Sequence, residues 1–251
     1  DMAQVDVQNR LKAVEPRLPQ VVRQSGLSVE SATSSFLMIV SLTSKDDGYD
    51  ETALGDYLAR NLVEELRRID GVGRVQLFGA EQAMRIWVDP AQLVAYGLSI
   101  NDLSDAVSRQ NAQIAPGRVG DAPTIPGQRV TIPLTVQGQL STPEQFAAMV
   151  LRANPDGSRV VMGDVARVEL GAQSYGFSNR EDGRPAAGAA VQLSPGANAV
   201  RTADAIQTRL AELSASMPDG IHYTTPFNTA PFVKISIQKV IYTLLEAMVL
   251  V

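Results

Sequence analysis

Paired carboxylates are the main candidates for chemistry in this sequence of 251 residues. They occur at Asp46-Asp47 and at Glu64-Glu65. The chain contains no cysteine and one histidine, His222, which excludes thiol catalysis, disulfides, iron–sulfur clusters and an imidazole pair for a metal. The first pair falls in a polar turn and the second on the polar face of a helix, where solvated surface groups are the better interpretation. We therefore expect no enzyme activity and no bound metal.

The glycine and charge patterns argue against a cofactor and against nucleic acid. Gly71 and Gly73 lack the third glycine of a dinucleotide-binding turn, and they end a helical pattern instead of beginning one. The net charge is −5, and the basic residues are scattered singly along the chain. A phosphate-binding surface needs clustered lysine and arginine. The sequence predicts no cofactor and no nucleic-acid partner.

Large apolar side chains on predicted strands form the pattern that stands out. Side chains alternate along a strand, so Val75 and Leu77 face one side and Gln76 and Phe78 the other. Two explanations of Phe78 stay open: it packs against a second domain, which the pattern alone favours, or it lines an apolar cleft for a ligand. The other residues to which these explanations apply are the aromatic Phe36, Tyr175, Phe177 and Phe227 and the polar Ser34 and Asn228.

The elements that position these residues follow a strand–helix–strand unit. Residues 35–42 form an apolar run of strand length, and Asp50 is placed to cap the next helix. Leucines at spacings of four give this helix one buried face. Residues 70–73 end the helix, and residues 74–79 return as a strand. The leucines are Leu54, Leu58, Leu62 and Leu66.

A second unit begins with a hairpin over residues 175–193, whose Asp182-Gly183 pair suits a turn with positive φ. Asn198 caps the following helix, and residues 221–225 return as a strand. An N-terminal segment repeats the helix–strand pattern, with a predicted helix followed by a short strand at 27–30. Two such units paired in one sheet, with helices on one side, form the split, ferredoxin-like β-α-β arrangement. The predicted fold class is α+β.

Residues 81–173 are predicted to be an α+β domain inserted between the two units. Ser99 and Asp102 form a capping box that opens one helix, and residues 142–145 open another. The segment 115–127 contains three glycines and three prolines, a composition that suits neither a helix nor a central strand. We expect this segment to be an arm that leaves the domain.

The sequence becomes increasingly apolar over residues 240–251. Because a bilayer span needs about 20 apolar residues, this run predicts the start of a transmembrane helix. Lys234 and Lys239 precede the run and could lie at a headgroup interface. A C-terminal helix docked on a folded core is the alternative that this segment leaves open.

Five separated motifs in order resemble one family of transport proteins. The resemblance is to the inner-membrane subunit of the resistance-nodulation-division multidrug efflux pumps, of the AcrB and MexB type, and it covers the chain from end to end. The motifs are TSSFLM at 33–38, GVGRVQLFG at 71–79, AMRIW at 83–87, QNAQ at 110–113 and TAPFVKISI at 229–237.

The resemblance implies a domain organisation. Residues 1–34 would be the C-terminal part of a first porter subdomain, and residues 35–80 with 174–230 a second porter subdomain. Residues 81–173 would be the inserted funnel or docking subdomain, and residues 231–251 the start of a transmembrane helix. Most of this segment would then lie in the periplasm, at the bacterial inner membrane.

The resemblance also implies a substrate site. In pumps of this kind the open face of the porter sheet lines a drug pocket. The matching positions here are Ser28, Glu30, Ser34, Ser35, Phe36, Ile39, Gln76, Leu77, Phe78, Gln173, Ser174, Gly176, Phe177 and Phe227.

Four positions depart from the commonest form of the family. Gln173 stands where many relatives have Glu, Ala80 where they have Ser, Gly176 where they have Asp, and Phe227 where they have Tyr. These differences make the implied pocket less acidic and slightly more apolar.

The implied function is drug/proton antiport by a homotrimer in the lipid bilayer that exports amphiphilic compounds. Its implied partners are a periplasmic membrane-fusion adaptor protein and an outer-membrane channel protein. Two alternatives stay open: an exporter of another substrate class in the same superfamily, and a periplasmic assembly or adaptor module without a transport role. The expected pocket has no cluster of Met, His or Cys, which argues against export of soft metals.

Overall fold

The computed structural model of this chain describes residues 2–45, 48–112, 118–119, 132–133, 139–176 and 178–250. The strands are β1 (Phe36–Ser44), β2 (Val72–Phe78), β3 (Gln82–Val88), β4 (Arg118–Val119), β5 (Ile132–Pro133), β6 (Val150–Ala153), β7 (Arg159–Val161), β8 (Ala166–Ala172), β9 (Arg180–Glu181), β10 (Arg184–Leu193) and β11 (Ile221–Asn228). The helices are α1 (Met2–Val14), α2 (Gln20–Ser25), α3 (Glu51–Tyr57), α4 (Glu64–Arg67), α5 (Pro90–Ala95), α6 (Ile100–Gln110), α7 (Pro143–Ala147), α8 (Met162–Val165), α9 (Ala199–Ser214) and α10 (Ala230–Leu250), with a 3-10 turn at Glu15–Arg17 and a π-helical turn at Leu58–Val63.

The chain divides into two compact units. The first comprises residues 1–82 and 174–251, and the second comprises residues 83–173. Both contain helices and strands, so the fold class is α+β, as predicted. The assignment of named porter and funnel subdomains to parts of the chain stays a prediction.

One sheet organises the first unit. Its strand order is β11-β1-β10-β2, and β9 pairs with β10. Strand β1 is antiparallel to both β10 and β11, and β10 is antiparallel to β2. Each strand–helix–strand unit therefore contributes one central strand and one outer strand, so the two units interleave in the sheet.

The leucine stripe packs the helix that follows β1 against the sheet. Asp50 caps α3 by accepting a hydrogen bond from the backbone N–H of Ala53 at 2.7 Å. Helical residues then continue from Glu51 to Arg67 through the π-helical turn. All four predicted leucines are at most 1% exposed, which confirms the buried face of this helix.

Helix α9 packs on the same face of the sheet. Asn198 caps this helix as predicted, and Ile206 and Leu210 belong to the same core cluster as Val75 of β2. An ion pair between Arg209 and Glu65, at 2.7 Å, joins α9 to α4. The hydrogen bond from Arg209 lowers the pKa of the Glu65 carboxylate. With both helices on one face, the opposite face of the sheet carries no helix of this pair.

Two predicted strands differ from the structure. Residues 27–30 form no strand, and Leu27 is 41% exposed. A strand is stable only where a neighbouring strand completes its backbone hydrogen bonds. Among the described residues, no strand pairs with residues 27–30, so their alternating side chains do not produce a strand. The hairpin predicted over 175–193 is also shorter on its first side, because β9 has two residues. Its turn is confirmed, with φ of +51° at Asp182 and +81° at Gly183.

The second unit has its own core, built around Phe146, Met149 and Met162. Strand β3 pairs with β8, and β6 pairs with β7. Both predicted helix starts are confirmed, because capping boxes form between Ser99 and Asp102 and between Thr142 and Gln145. The predicted arm falls largely outside the described residues. Its described part, β4, pairs in antiparallel fashion with β5, which lies beyond the predicted bounds of the arm.

Helix α10 follows β11 and is exposed from residue 231 to residue 250. Phe232, Tyr242 and Met248 are 73%, 69% and 75% exposed. Within the described part of the chain, no helix combines the length and the apolar character that crossing a membrane requires.

Candidate functional site

The uncovered face of the sheet brings together predicted site residues from three strands. Strand register places Phe227 opposite Ile39, Ile39 opposite Ala190, and Ala190 opposite Gln76. Paired residues of neighbouring strands share one face of a sheet. Phe227, Ile39 and Gln76 therefore lie in one row across the first unit.

Phe78 and Phe36 form an aromatic pair. Their ring centroids are 6.2 Å apart and their planes meet at 85°, which is an edge-to-face contact. Val75 is buried in the core beneath the helices, and Leu77 packs against that core. The side chains of β2 thus point to opposite faces of the sheet, as alternation predicts: Leu77 faces the helices, and Phe78 contacts Phe36 on the other face.

A cavity of about 270 Å³ opens beside Phe78. Its base is made of small residues of β10, because Gly188 lies opposite both Phe78 of β2 and Ser41 of β1. Small side chains in the central strand leave space between the larger side chains on either side. The cavity is lined by Ile39, Ser41, Phe78, Asn179, Arg180, Glu181, Ala186, Gly188 and Pro226.

The predicted polar residues before β1 lie elsewhere. Ser28, Ser34 and Ser35 are exposed, and none of them lines the cavity beside Phe78. Glu30 forms an ion pair with Arg74 at 3.0 Å and borders a separate cavity of about 520 Å³. None of these four residues lines the cavity beside Phe78, and their roles in substrate binding stay predictions.

The predicted residues before β9 are described only in part. Gln173 belongs to the second unit, where its backbone carbonyl accepts a hydrogen bond from Arg85 at 3.1 Å. Ser174 and Gly176 are exposed in the first unit, and the Ser174 hydroxyl accepts a hydrogen bond from the Gly176 N–H at 3.3 Å. Phe177 lies outside the described residues. Their roles in substrate binding stay predictions.

Sequence reasoning identified Ile39 and Phe78 and missed the other residues that line the cavity, among them Ser41, Asn179 and Glu181. Ser41 follows Ile39 on the same face of β1, so alternation counted from Ile39, which the family resemblance implies, would have identified it. Asn179 donates a hydrogen bond from its side-chain amide to the Phe78 carbonyl at 3.0 Å. Glu181 stands next to the predicted Asp182-Gly183 turn, and its carboxylate accepts a hydrogen bond from Thr224 at 2.6 Å. The pairing of β9 with β10 brings both residues to this cavity, where Asn179 meets Phe78 of β2 and Glu181 meets Thr224 of β11.

The candidate acidic groups have structural partners. Glu64 and Glu65 pair with Arg67 and Arg68, three residues further along the helical segment. His222 is exposed on β11. Asp46 and Asp47 lie outside the described residues. In the part of the chain that the structure describes, no group of three His, Cys, Asp or Glu side chains could hold a metal ion.

Comparison with known proteins gives matches over the whole chain. A family model described as the AcrB/AcrD/AcrF family matches residues 1–251. Multidrug export protein AcrF of Escherichia coli K12 is 46% identical over all 251 residues, and multidrug resistance protein MdtF of the same strain is 44% identical. The toluene efflux pump membrane transporter TtgB of Pseudomonas putida is 42% identical. The chain spans 24% of the length of each of these relatives.

Proposed function

Since the chain belongs to the AcrB/AcrD/AcrF family, we propose that it is the substrate-binding and docking segment of a resistance-nodulation-division multidrug efflux transporter. The transporter exports amphiphilic compounds. The relatives support this proposal, because their names describe multidrug export and toluene efflux. The segment itself performs no catalysis in this proposal, since its role is to bind compounds and pass them on.

The observation that carries the proposal is the uncovered face of the sheet in the first unit. Phe36 and Phe78 meet there edge to face, and Ile39 and Pro226 line the adjoining cavity. Phe227 lies in the neighbouring row and is 44% exposed. An apolar surface with a few polar groups suits compounds that vary in shape but share an apolar body. Such a surface binds by contact area and needs no catalytic group.

The proposal includes the finer architecture that the family resemblance implies. The interleaved strand order and the two helices on one face support a ferredoxin-like porter subdomain. The second unit, residues 83–173, would be the docking subdomain that meets the outer-membrane channel protein and the membrane-fusion adaptor protein. Helix α10, with exposed apolar side chains along its length, would lead into the inner membrane.

The energetic part of the proposal concerns the whole transporter. A homotrimer would drive export by proton antiport, with the porter sheets changing conformation while most of this segment lies in the periplasm. A binding surface changes its affinity for compounds when it opens and closes. The transporter would couple this change in affinity to the proton gradient.

The two faces of β2 provide the test. We expect Phe78→Ala in the full-length transporter to reduce export of bulky aromatic drugs at least several-fold, because it removes contact area from the binding surface. Its melting temperature should change little, because the truncation leaves no sealed core cavity. Export is measured as drug susceptibility of cells that express equal amounts of each variant.

Leu77→Ala is the matched control on the opposite face. Leu77 packs against the core, so its truncation should cost about 2 kcal/mol, at the low end of the range for buried leucine. The melting temperature of Leu77→Ala must therefore fall clearly more than that of Phe78→Ala. Equal destabilisation by the two variants, or unchanged resistance to every drug in Phe78→Ala, would show that Phe78 is a packing residue.

A further inference from the structure

Glu181 is the acidic residue at the cavity beside Phe78. It ends β9, immediately before the turn to β10. One carboxylate oxygen, Oε1, accepts a hydrogen bond from the Thr224 hydroxyl of β11 at 2.6 Å. The other oxygen, Oε2, is buried and has no hydrogen-bond partner among the described residues. One oxygen of this carboxylate thus has a hydrogen-bond partner, and the other has none among the described residues.

An unpartnered carboxylate oxygen away from water is unfavourable. Loss of its hydration costs free energy that a donor must offset, and the cost is greater for a charged group than for a neutral one. A cation that donates to Oε2 would offset this cost and gain an attraction that surrounding apolar atoms strengthen. Because neighbouring atoms cover Oε2, a small rotation of the Glu181 side chain accompanies such binding.

The surroundings of Glu181 select the kind of cation. Ile39, Phe78 and Pro226 line the same cavity, so a bound group meets apolar surface beside the negative charge. A ring face such as that of Phe78 also attracts cations. A small hydrated metal ion would gain nothing from these side chains, whereas an ammonium group attached to an apolar body matches both parts of the cavity.

The arginines nearest to Glu181 in sequence have other partners. Arg180 also lines the cavity, but its guanidinium donates to the Gly183 carbonyl at 3.0 Å within the turn. Arg184 donates to the Lys45 carbonyl at 3.4 Å. Neither of these contacts places an arginine on Oε2.

We propose that Glu181 is a specificity-determining residue that binds the cationic group of amphiphilic compounds at the cavity beside Phe78. This inference rests on the proposed function, which it deepens by naming the substrate class. Gln173 and Gly176 stand where many relatives have Glu and Asp, and so make the pocket that the family resemblance implies less acidic. Glu181 supplies a negative charge from a different place, the hairpin between β9 and β10.

Binding of two dyes to the purified full-length transporter in lipid nanodiscs tests the inference. Rhodamine 6G is a lipophilic cation and Nile red is uncharged, and fluorescence polarisation gives a Kd for each. Glu181→Gln should weaken rhodamine 6G binding about tenfold, the value of one hydrogen bond to a charged group, and leave Nile red within about twofold. Phe78→Ala should weaken both dyes, because both use its contact area.

Asp182→Asn is the matched control. It removes the same charge one residue away, at an exposed turn position with φ of +51° that asparagine tolerates. This variant should bind both dyes as the wild type does. If Glu181→Gln does not fold, Glu181→Asp replaces it and must weaken the cationic dye more than the neutral dye.

The outcomes separate the two proposals. A wild-type transporter that binds neither dye overturns the proposed function, and this inference with it. A wild type that binds both dyes, with Glu181→Gln unchanged or equally weakened for both, overturns the role of Glu181 and leaves the proposed function standing. Selective loss of the cationic dye supports the inference.

Discussion

Gly71 shows how a single residue joins the helix layer to the sheet. It lies in the turn before β2 with φ of +90°, in the left-handed region that side chains disfavour. A Cβ atom at this position would also clash with the Thr202 hydroxyl oxygen of α9. Thr202 is 2% exposed, so it has little room to move. Both the backbone conformation and the space therefore require glycine.

We expect Gly71→Ala to lower the free energy of unfolding by about 3 kcal/mol, from left-handed strain and overpacking together. Gly196→Ala is the control, because Gly196 has φ of +80° but no neighbouring atom within 4 Å of the point where a Cβ would lie. The control should cost about 1 kcal/mol from strain alone. Melting temperatures of the purified variants give the comparison, and equal shifts would remove Thr202 from the explanation.

Residues of the candidate site differ in how far sequence predicts their place. The opposite directions of Leu77 and Phe78 follow from alternation, because the two-residue period of a strand is fixed by its backbone. Ser28 and Glu30 do not follow, since their positions depend on whether a neighbouring strand exists. The predicted hairpin over residues 175–193 implies the pairing of β9 with β10, but the contact of Glu181 with Thr224 depends on where β11 lies, which local pattern does not predict.

At the scale of elements, helices with clear caps and stripes are the most predictable parts of this chain. Asp50, Ser99 and Asn198 all cap the helices that the sequence indicates. Helix α5 was not predicted, although Asp89 accepts hydrogen bonds at its start and Pro90 is its first residue. The Asp-Pro pair indicates a strand end and a helix start equally well, and six residues provide too little periodicity to distinguish them.

The cap of α9 gives a prediction at this scale. The Asn198 side chain accepts a hydrogen bond from the Arg201 N–H at 3.0 Å, and α9 supplies Ile206 and Leu210 to the core. Asn198→Ala should cost about 1 kcal/mol of unfolding free energy, the usual value of a cap. Asn198→Asp retains an acceptor and should stay close to the wild type. Chemical denaturation of both variants decides, and a similar loss in both would show that the cap contributes little.

At the scale of the whole molecule, local patterns predict less. Two strand–helix–strand patterns indicate a sheet, but the interleaved order β11-β1-β10-β2 arises from pairing between residues far apart in the chain. That order places the small residues of β10 between Ile39 and Gln76, and so creates the space beside Phe78. Helices on one face of the sheet leave the other face uncovered. The proposed binding surface is therefore a consequence of the topology.

The arm of the second unit carries the last prediction. Strands β4 and β5 pair Arg118 with Pro133 and Val119 with Ile132, so the chain leaves and returns at neighbouring positions. The intervening residues 120–131 lie outside the described residues. The sequence predicts an arm over residues 115–127, and long loops in compact domains usually have a function. In a trimeric transporter, we expect this segment to contact the neighbouring protomer.

Replacing residues 120–131 with Asn-Gly tests this expectation in the full-length transporter. An Asn-Gly turn closes a two-stranded hairpin, so β4 and β5 can stay paired while the segment is removed. The fraction of trimer should fall at least severalfold in native mass measurements or crosslinking, because each protomer loses a contact with its neighbour. The melting temperature should hold, because the core around Phe146 and Met162 is untouched. Asp156→Ala, at a turn elsewhere in the same unit, should leave the trimer intact, and an unchanged trimer after removal of residues 120–131 would reject an oligomerisation role for the arm.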